Sequence, residues 1–153
     1  VLNYLHSLVT KNFKTDFFFF NFFFFYIKRM PGISSTMITL QQYNKNLEQI
    51  VEITLKLSKK LMWVSTTPVD DAIHTAKTQA FQRKNSDVLE FNSVAEKIME
   101  QHNVKIIDLY AFIQTLPKPW YDDHVHYPEP IRKLQAIFIA KKIINEEIKI
   151  TQK

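Results

Sequence analysis

The sequence lacks cysteine entirely and contains a single glycine, Gly32. The absence of cysteine excludes disulfides, thiolate metal sites and a cysteine nucleophile. Average glycine usage would give roughly ten in a chain of this size. One glycine therefore excludes glycine-rich dinucleotide loops, Walker A loops and a G-x-S-x-G nucleophile elbow. The chain begins at Val1 rather than at methionine, so we expect it to be processed or to be a piece of a longer protein.

The 153 residues, 46% hydrophobic and 23% charged, suffice for one domain with a core. The net charge of +5 is concentrated towards the two ends of the chain. A nucleic-acid binder typically shows one basic stripe interleaved with aromatic residues. Solvated helix faces explain the positive charge here, so we expect no nucleic-acid partner.

The most unusual segment is the phenylalanine-rich run Phe17–Ile27, eleven residues long. A membrane-spanning helix needs about twenty apolar residues, so this run is too short to be one. We expect a low-complexity insertion in a loop, covering about residues 9–36. The alternative is an interfacial anchor that uses its aromatic surface for membrane or partner contact.

Hydrophobic periodicity predicts alternating strands and helices along the rest of the chain. Apolar residues recur at helical spacing in three segments, and short continuous apolar runs indicate buried strands in three others. The predicted helices are 39–58, 87–102 and 134–144, and the predicted strands are Val1–Leu5, Leu61–Val64 and Val104–Tyr110. This alternation predicts an α/β fold with a parallel sheet covered on both faces.

The loop Trp120–Tyr127 packs two carboxylates, two imidazoles and three aromatic rings into eight residues. The D-x-x-H spacing of Asp123 and His126 allows the carboxylate to orient the imidazole as a general base. One alternative is a polar loop in which an aspartate caps the following helix. Another is a metal site, with the H-x-H pair His124 and His126 joined by Asp122 or Asp123.

Four pieces in order resemble the C-terminal part of an SGNH/GDSL-type esterase domain. They are Trp63–Val69, then Asn85 with Asn92-x-x-Ala95, then Ile107–Tyr110, and finally Tyr121–Tyr127, which resembles the family's D-G-V-H block with His124 in place of glycine. The resemblance implies a three-layer α/β/α, flavodoxin-like fold that is incomplete, holding strands 3–5 of the parallel sheet and their helices. It also implies ester hydrolysis by a Ser-His-Asp arrangement, with His126 as base and Asp123 as its orienter, a small-molecule ester as substrate, and no cofactor or metal.

Other blocks of the family match less completely. Asn3-Tyr4-Leu5-His6-Ser7 is similar to the oxyanion block after the third strand, with His6 or Asn3 as donor. We expect Ser65, Thr66, Thr67 and Tyr121 to line the substrate pocket. The G-D-S block that carries the nucleophilic serine is absent. The chain is therefore expected to be a truncated, inactive esterase; the alternative is a non-catalytic α/β binding module that uses the phenylalanine-rich run.

Overall fold

A computed structural model describes residues 1–21 and 24–151, with side chains to residue 145. This part of the chain contains three strands and six helices. The elements in order are α1 (Leu2–Thr10), β1 (Thr15–Phe20), α2 (Leu40–Leu57), β2 (Ser58–Val64), α3 (Asp71–Lys77), α4 (Asn85–Gln101), β3 (Lys105–Ile107), α5 (Leu109–Gln114) and α6 (Glu129–Thr151).

The three strands form one parallel sheet in the order β1-β2-β3. Phe17 of β1 pairs with Lys60 of β2, and Met62 of β2 pairs with Lys105 of β3. The predicted α/β class and the parallel, incomplete sheet are confirmed. All three strands run the same way, so their carboxyl ends meet at one edge, where open α/β sheets place their binding sites.

Helices cover both faces of the sheet. On one face the indole of Trp63, fully buried, packs with Leu47 of α2 and Phe91 of α4. On the other face Met62 packs with Phe138 of α6. Because central strands bury both faces, successive residues of β2 are apolar without alternation. The result is the three-layer arrangement that the resemblance implied.

The helices predicted over 39–58 and 87–102 are confirmed as α2 and α4, and the predicted last helix lies within the longer α6. At the start of α2, the Thr39 hydroxyl accepts a hydrogen bond of 3.2 Å from the Gln42 backbone N–H. This cap satisfies one of the free donors at the helix start. The strand predicted at Leu61–Val64 is confirmed as part of β2. The strand predicted at Val104–Tyr110 is shorter, because β3 covers only Lys105–Ile107 and Leu109 begins helix α5.

The strand predicted at Val1–Leu5 is wrong, because this segment belongs to helix α1. Leu2, Leu5 and Leu8 recur every three residues, so they share one face of a helix. That face packs against Ile50 and other apolar residues of α2, and Leu5 is buried there. Docking on α2, rather than the local apolar run, decides the conformation of this segment.

The placement of the phenylalanine-rich run in a loop is also wrong for residues 17–20, which form part of a strand, whereas residues 24–27 form a turn. Residues 15–20 form strand β1, which pairs along its length with β2. Phe24 and Ile27 then turn into the core, while Phe22 and Phe23 lie outside the described residues. A strand with helices on both sides needs apolar residues at successive positions, and the run supplies them. Among the described residues, no helix has the length and apolar character to cross a membrane.

Candidate active site

Polar side chains collect at the carboxyl edge of the sheet. Asn21 directly follows β1, and its amide Nδ2 donates a hydrogen bond of 2.6 Å to the carbonyl of Val64, the last residue of β2. Thr66 lies just beyond β2, where its backbone is fixed on both sides by the Asn92 amide of α4. The Asn21 amide thus joins the ends of β1 and β2, and the Asn92 amide joins the segment after β2 to α4.

The loop between α5 and α6 is anchored to this edge by two buried aromatic residues. The Trp120 indole N–H donates to the Leu116 carbonyl at 3.0 Å, and the Tyr121 hydroxyl donates to the Pro68 carbonyl. Burial raises the pKa of Tyr121, with a further contribution from the neighbouring Tyr127, so Tyr121 stays a neutral donor. A backbone hydrogen bond of 2.9 Å from Asp122 to the carbonyl of His126 closes the loop. The residues between them are therefore held in a fixed turn.

Asp123 and His126 meet in that turn. The Asp123 Oδ2 lies 2.5 Å from the His126 Nδ1. Its other oxygen, Oδ1, accepts the backbone N–H groups of Val125 and His126, each at 2.7 Å. Partial burial acts to raise the pKa of Asp123, but these three hydrogen bonds outweigh it and lower the pKa below its ordinary value. The ionised carboxylate accepts a hydrogen bond from the Nδ1–H group, which leaves Nε2 of the imidazole as the basic nitrogen.

The imidazole of His126 stands at the wall of a cavity of about 780 Å³. The cavity lies between the carboxyl ends of β1 and β2, the 120–127 loop and α6. Its lining is mostly apolar, with a minority of polar and cationic groups: Phe19, Phe20, Asn21, Phe24, Phe25, Val64, Thr66, Thr67, Arg83, Leu109, Val125, His126, Tyr127, Arg132, Gln135 and Ile139. A volume of this size accommodates a small organic molecule.

The sequence-predicted site residues fall in three places. Thr66 and Thr67 line the cavity with His126, whereas Ser65 and Tyr121 are buried and are not part of its lining. The strand-end position predicted for Asn3 and His6 is wrong, because both lie on α1, which packs against α2. Neither belongs to the lining of the cavity.

Ser65 has a structural role that explains its burial. Its hydroxyl donates to Asp108 Oδ1 at 3.2 Å and accepts the backbone N–H of Tyr110 at 2.9 Å, which joins the end of β2 to the start of α5. The side chain is committed on both sides and does not face the cavity. No serine is among the described residues that line the cavity.

His124 turns away from His126 towards a second histidine. Its ring centroid lies 5.1 Å from that of His74, which is fully buried, and 6.3 Å from that of His126. Burial lowers the pKa of His74, and the Arg83 and His124 charges act in the same direction. Among the residues that the structure describes, no three histidine or acidic side chains converge as metal ligands.

Sequence reasoning missed Asn21 and Arg83, both of which line the cavity. The signal for Asn21 was present, since a single amide interrupts the phenylalanine run where β1 ends. It went unused because the run was assigned to a loop. No motif near Arg83 indicates that it belongs to the site. The segment after α3 brings Arg83 to the cavity, although Arg83 does not follow a strand.

Comparisons with known proteins support the fold. No protein-family profile matches the chain, and no curated protein matches its sequence significantly. Among solved structures, the lipase/acylhydrolase from Enterococcus faecalis is similar at 22% identity over 71% of this chain and 53% of that chain, with a TM-score of 0.58. A catalytic mutant of Axe2, an acetylxylan esterase from Geobacillus stearothermophilus, is similar at 15% identity over 95% and 67%, with a TM-score of 0.66.

A third similar structure is LAE5, an alpha/beta hydrolase from the metagenome of Lake Arreo, Spain. It shares 12% identity over 95% of this chain and 66% of that chain, with a TM-score of 0.60. The chain thus spans about half the length of the Enterococcus protein and about two thirds of the other two. At these identities the likeness concerns the fold. The chain has the fold of SGNH/GDSL-type lipases and esterases, in agreement with the resemblance found in its sequence.

Proposed function

We propose that the chain carries the general-base half of an SGNH-type ester hydrolase site and lacks the nucleophile. The observation that carries this proposal is the Asp123–His126 pair, 2.5 Å apart, at the wall of an apolar cavity. The His126 side chain is 77% exposed, so Nε2 is accessible to an incoming group. A carboxylate that fixes the imidazole and leaves Nε2 basic is the arrangement that activates a serine hydroxyl.

In the complete reaction, His126 Nε2 takes the proton of the serine hydroxyl as that oxygen attacks the ester carbonyl. Asp123 stabilises the resulting imidazolium, and His126 then returns the proton to the departing alkoxide. The Asn21 amide has two N–H groups, of which one is committed to Val64. We assign the second to the developing oxyanion, in place of Asn3 or His6, because Asn21 lines the cavity with His126.

No serine lines the described part of the cavity, so His126 must act on an ester without a serine nucleophile. We expect slow, His126-dependent hydrolysis of an activated ester such as p-nitrophenyl acetate and no stoichiometric acylation of serine. Removing a member of a triad typically lowers the rate by several orders of magnitude. The substrates proposed are therefore small-molecule esters, turned over efficiently only when a serine is supplied.

The experiment compares His126→Ala with His6→Ala. His6 is an exposed histidine on α1 and provides a matched control for imidazole reactivity. The proposal predicts that His126→Ala loses the residual hydrolysis of p-nitrophenyl acetate. His6→Ala should hydrolyse this ester at the rate of the unchanged chain. Equal rates in the two variants would contradict it. So would labelling of any serine by a fluorophosphonate probe.

A binding module is the second candidate, favoured by the exposed aromatic surface beside the cavity. Phe19 and Phe25 are 59% and 57% exposed. Such surface is typical of contact sites for partners or for a membrane. A pocket that binds esters with no His126-dependent hydrolysis would favour this function over the first.

A further inference from the structure

The cavity beside His126 contains two arginines and no acidic residue. Arg83 and Arg132 are part of its lining, and no aspartate or glutamate belongs to the lining that the structure describes. The Asp123 carboxylate pairs with His126 and forms no ion pair with either arginine among the described residues. The cavity is therefore positively charged in addition to being apolar.

The guanidinium of Arg83 has no counter-ion among the described residues. Its Nε donates a hydrogen bond of 2.9 Å to the Phe24 carbonyl, and its Nη1 is buried and donates to no described residue. Aromatic rings flank the group, with the guanidinium carbon 4.7 Å from the Phe81 centroid and 5.5 Å from that of Phe24. Burial lowers the pKa of Arg83, yet a guanidinium stays charged in proteins.

Other basic side chains of the described part of the chain form ion pairs with carboxylates. Arg29 donates two hydrogen bonds to the carboxylate of Asp87, at 2.8 and 2.6 Å. On α6, Lys133 pairs with Glu129 at 2.8 Å, whereas its neighbour Arg132 makes no side-chain ion pair with a described residue. Of the three arginines, the two that form no ion pair with a described carboxylate, Arg83 and Arg132, are thus the two that line the cavity.

A charge held between aromatic rings without a counter-ion is poorly solvated, and an anion that enters restores the lost interactions. The phenylalanine side chains of β1 and of the turn after it offer an apolar surface in the same cavity. We infer that this cavity selects esters carrying a carboxylate and an apolar chain, the carboxylate being bound by Arg83 and Arg132. This inference names the substrate class of the proposed site and rests on that site's taking esters.

The test compares two esters of one chain length, monomethyl suberate, which carries a carboxylate, and dimethyl suberate, which is neutral. Calorimetric titration of the full chain at low salt should show the monoester binding about tenfold more tightly, as expected for a hydrogen-bonded charge. High salt should narrow this preference, since screening weakens attraction at the exposed Arg132. Equal affinities for the two esters, a preference for the diester, or no binding of the monoester would each overturn the inference.

Variants locate the effect. Arg83→Gln and Arg132→Gln should each reduce the preference for the monoester, whereas Lys133→Gln, which removes the same charge from the same helix outside the cavity, should leave it unchanged. An equal loss in Lys133→Gln would overturn the inference in favour of general electrostatics. If Arg83→Gln does not fold, the comparison of the exposed Arg132→Gln with Lys133→Gln decides.

Binding and hydrolysis separate this inference from the proposed function. His126→Ala removes the base but neither arginine, so the preference for the monoester should persist in that variant. A preference that persists without His126-dependent hydrolysis would reject the esterase function and keep the anion site. Hydrolysis that depends on His126 without any charge preference would reject only the anion site.

Discussion

Replacing Arg29 by methionine should destabilise the domain strongly, because Arg29 fastens the cavity wall to α4. Its guanidinium donates from Nε and Nη2 to the two oxygens of Asp87, at 2.8 and 2.6 Å. The Asp87 side chain is 5% exposed and that of Arg29 is 22% exposed. The residue lies just after the turn that holds Phe24 and Ile27 in the core, so the pair links that turn to the rest of the domain.

The magnitude follows from the burial of the partner that remains. Methionine keeps most of the length of the side chain but leaves the Asp87 carboxylate buried with neither charge-assisted hydrogen bond. Breaking a buried pair in this way costs about 3–5 kcal/mol. Water reaches part of Arg29, so we expect about 3 kcal/mol, a large share of the roughly 5–15 kcal/mol of a typical domain. Arg29→Met with Asp87→Leu should recover much of the loss, since no charge is then left buried.

The assay is urea unfolding followed by tryptophan fluorescence, which reports on the buried Trp63 and Trp120. The control is Lys59→Met, which breaks the 3.1 Å ion pair between Lys59 and Asp16. The two side chains are 81% and 78% exposed. That exposed pair should contribute well under about 1 kcal/mol. A loss in Arg29→Met no larger than in Lys59→Met would refute the reasoning, and with it the view that this ion pair links the turn at Phe24 and Ile27 to α4.

Three further outcomes are expected. The first concerns a version of the chain joined to a segment that supplies the G-D-S serine. There kcat for ester hydrolysis should fall by orders of magnitude in His126→Ala and clearly in Asp123→Asn, but not in His124→Gly. A loss of activity in His124→Gly, with activity retained in Asp123→Asn, would contradict the triad. The lowered pKa of Asp123 means that its stabilising contribution is present above the ordinary carboxyl pKa and is lost as the pH falls through the folded value, so acid unfolding should be less steep in Asp123→Asn, as circular dichroism would show. Strand β1 pairs with one described strand only, so self-association should rise with protein concentration in sedimentation experiments, and a strictly monomeric chain at all concentrations would count against an open edge.

Local patterns in the sequence predicted helices α2 and α4 and the contact between Asp123 and His126 well. The apolar positions of α2 and α4 repeat at the helical period, so each helix is determined by residues within a few turns of one another. Asp123 and His126 are also close in sequence, and one turn of chain brings them together. In both cases the interacting groups are three or four residues apart, within reach of pattern analysis.

Local patterns do not predict contacts between segments that are far apart in the sequence. The amide of Asn21 meets Val64 across 43 residues of sequence, and no pattern near either residue indicates the contact. Leu5 looked like part of a strand until its partners on α2 were known. Pairing and docking decide these elements, and one sequence contains no direct record of either.

The phenylalanine run forms a strand although its uniform composition is typical of low-complexity sequence. A stretch of identical residues has no period, so it was assigned to a loop on the grounds of low complexity. In the strand, however, successive side chains point to opposite faces. Phe17 packs on the side of α6, Phe18 and Phe20 pack against the main core, and Phe19 lines the cavity. The α6 side, the main core and the cavity wall each accept a large apolar side chain. A run of identical phenylalanines can therefore serve both faces of the strand. Strand β1 ends at Phe20 and Asn21 follows directly, so the strand built from this run also positions the Asn21 amide at the cavity.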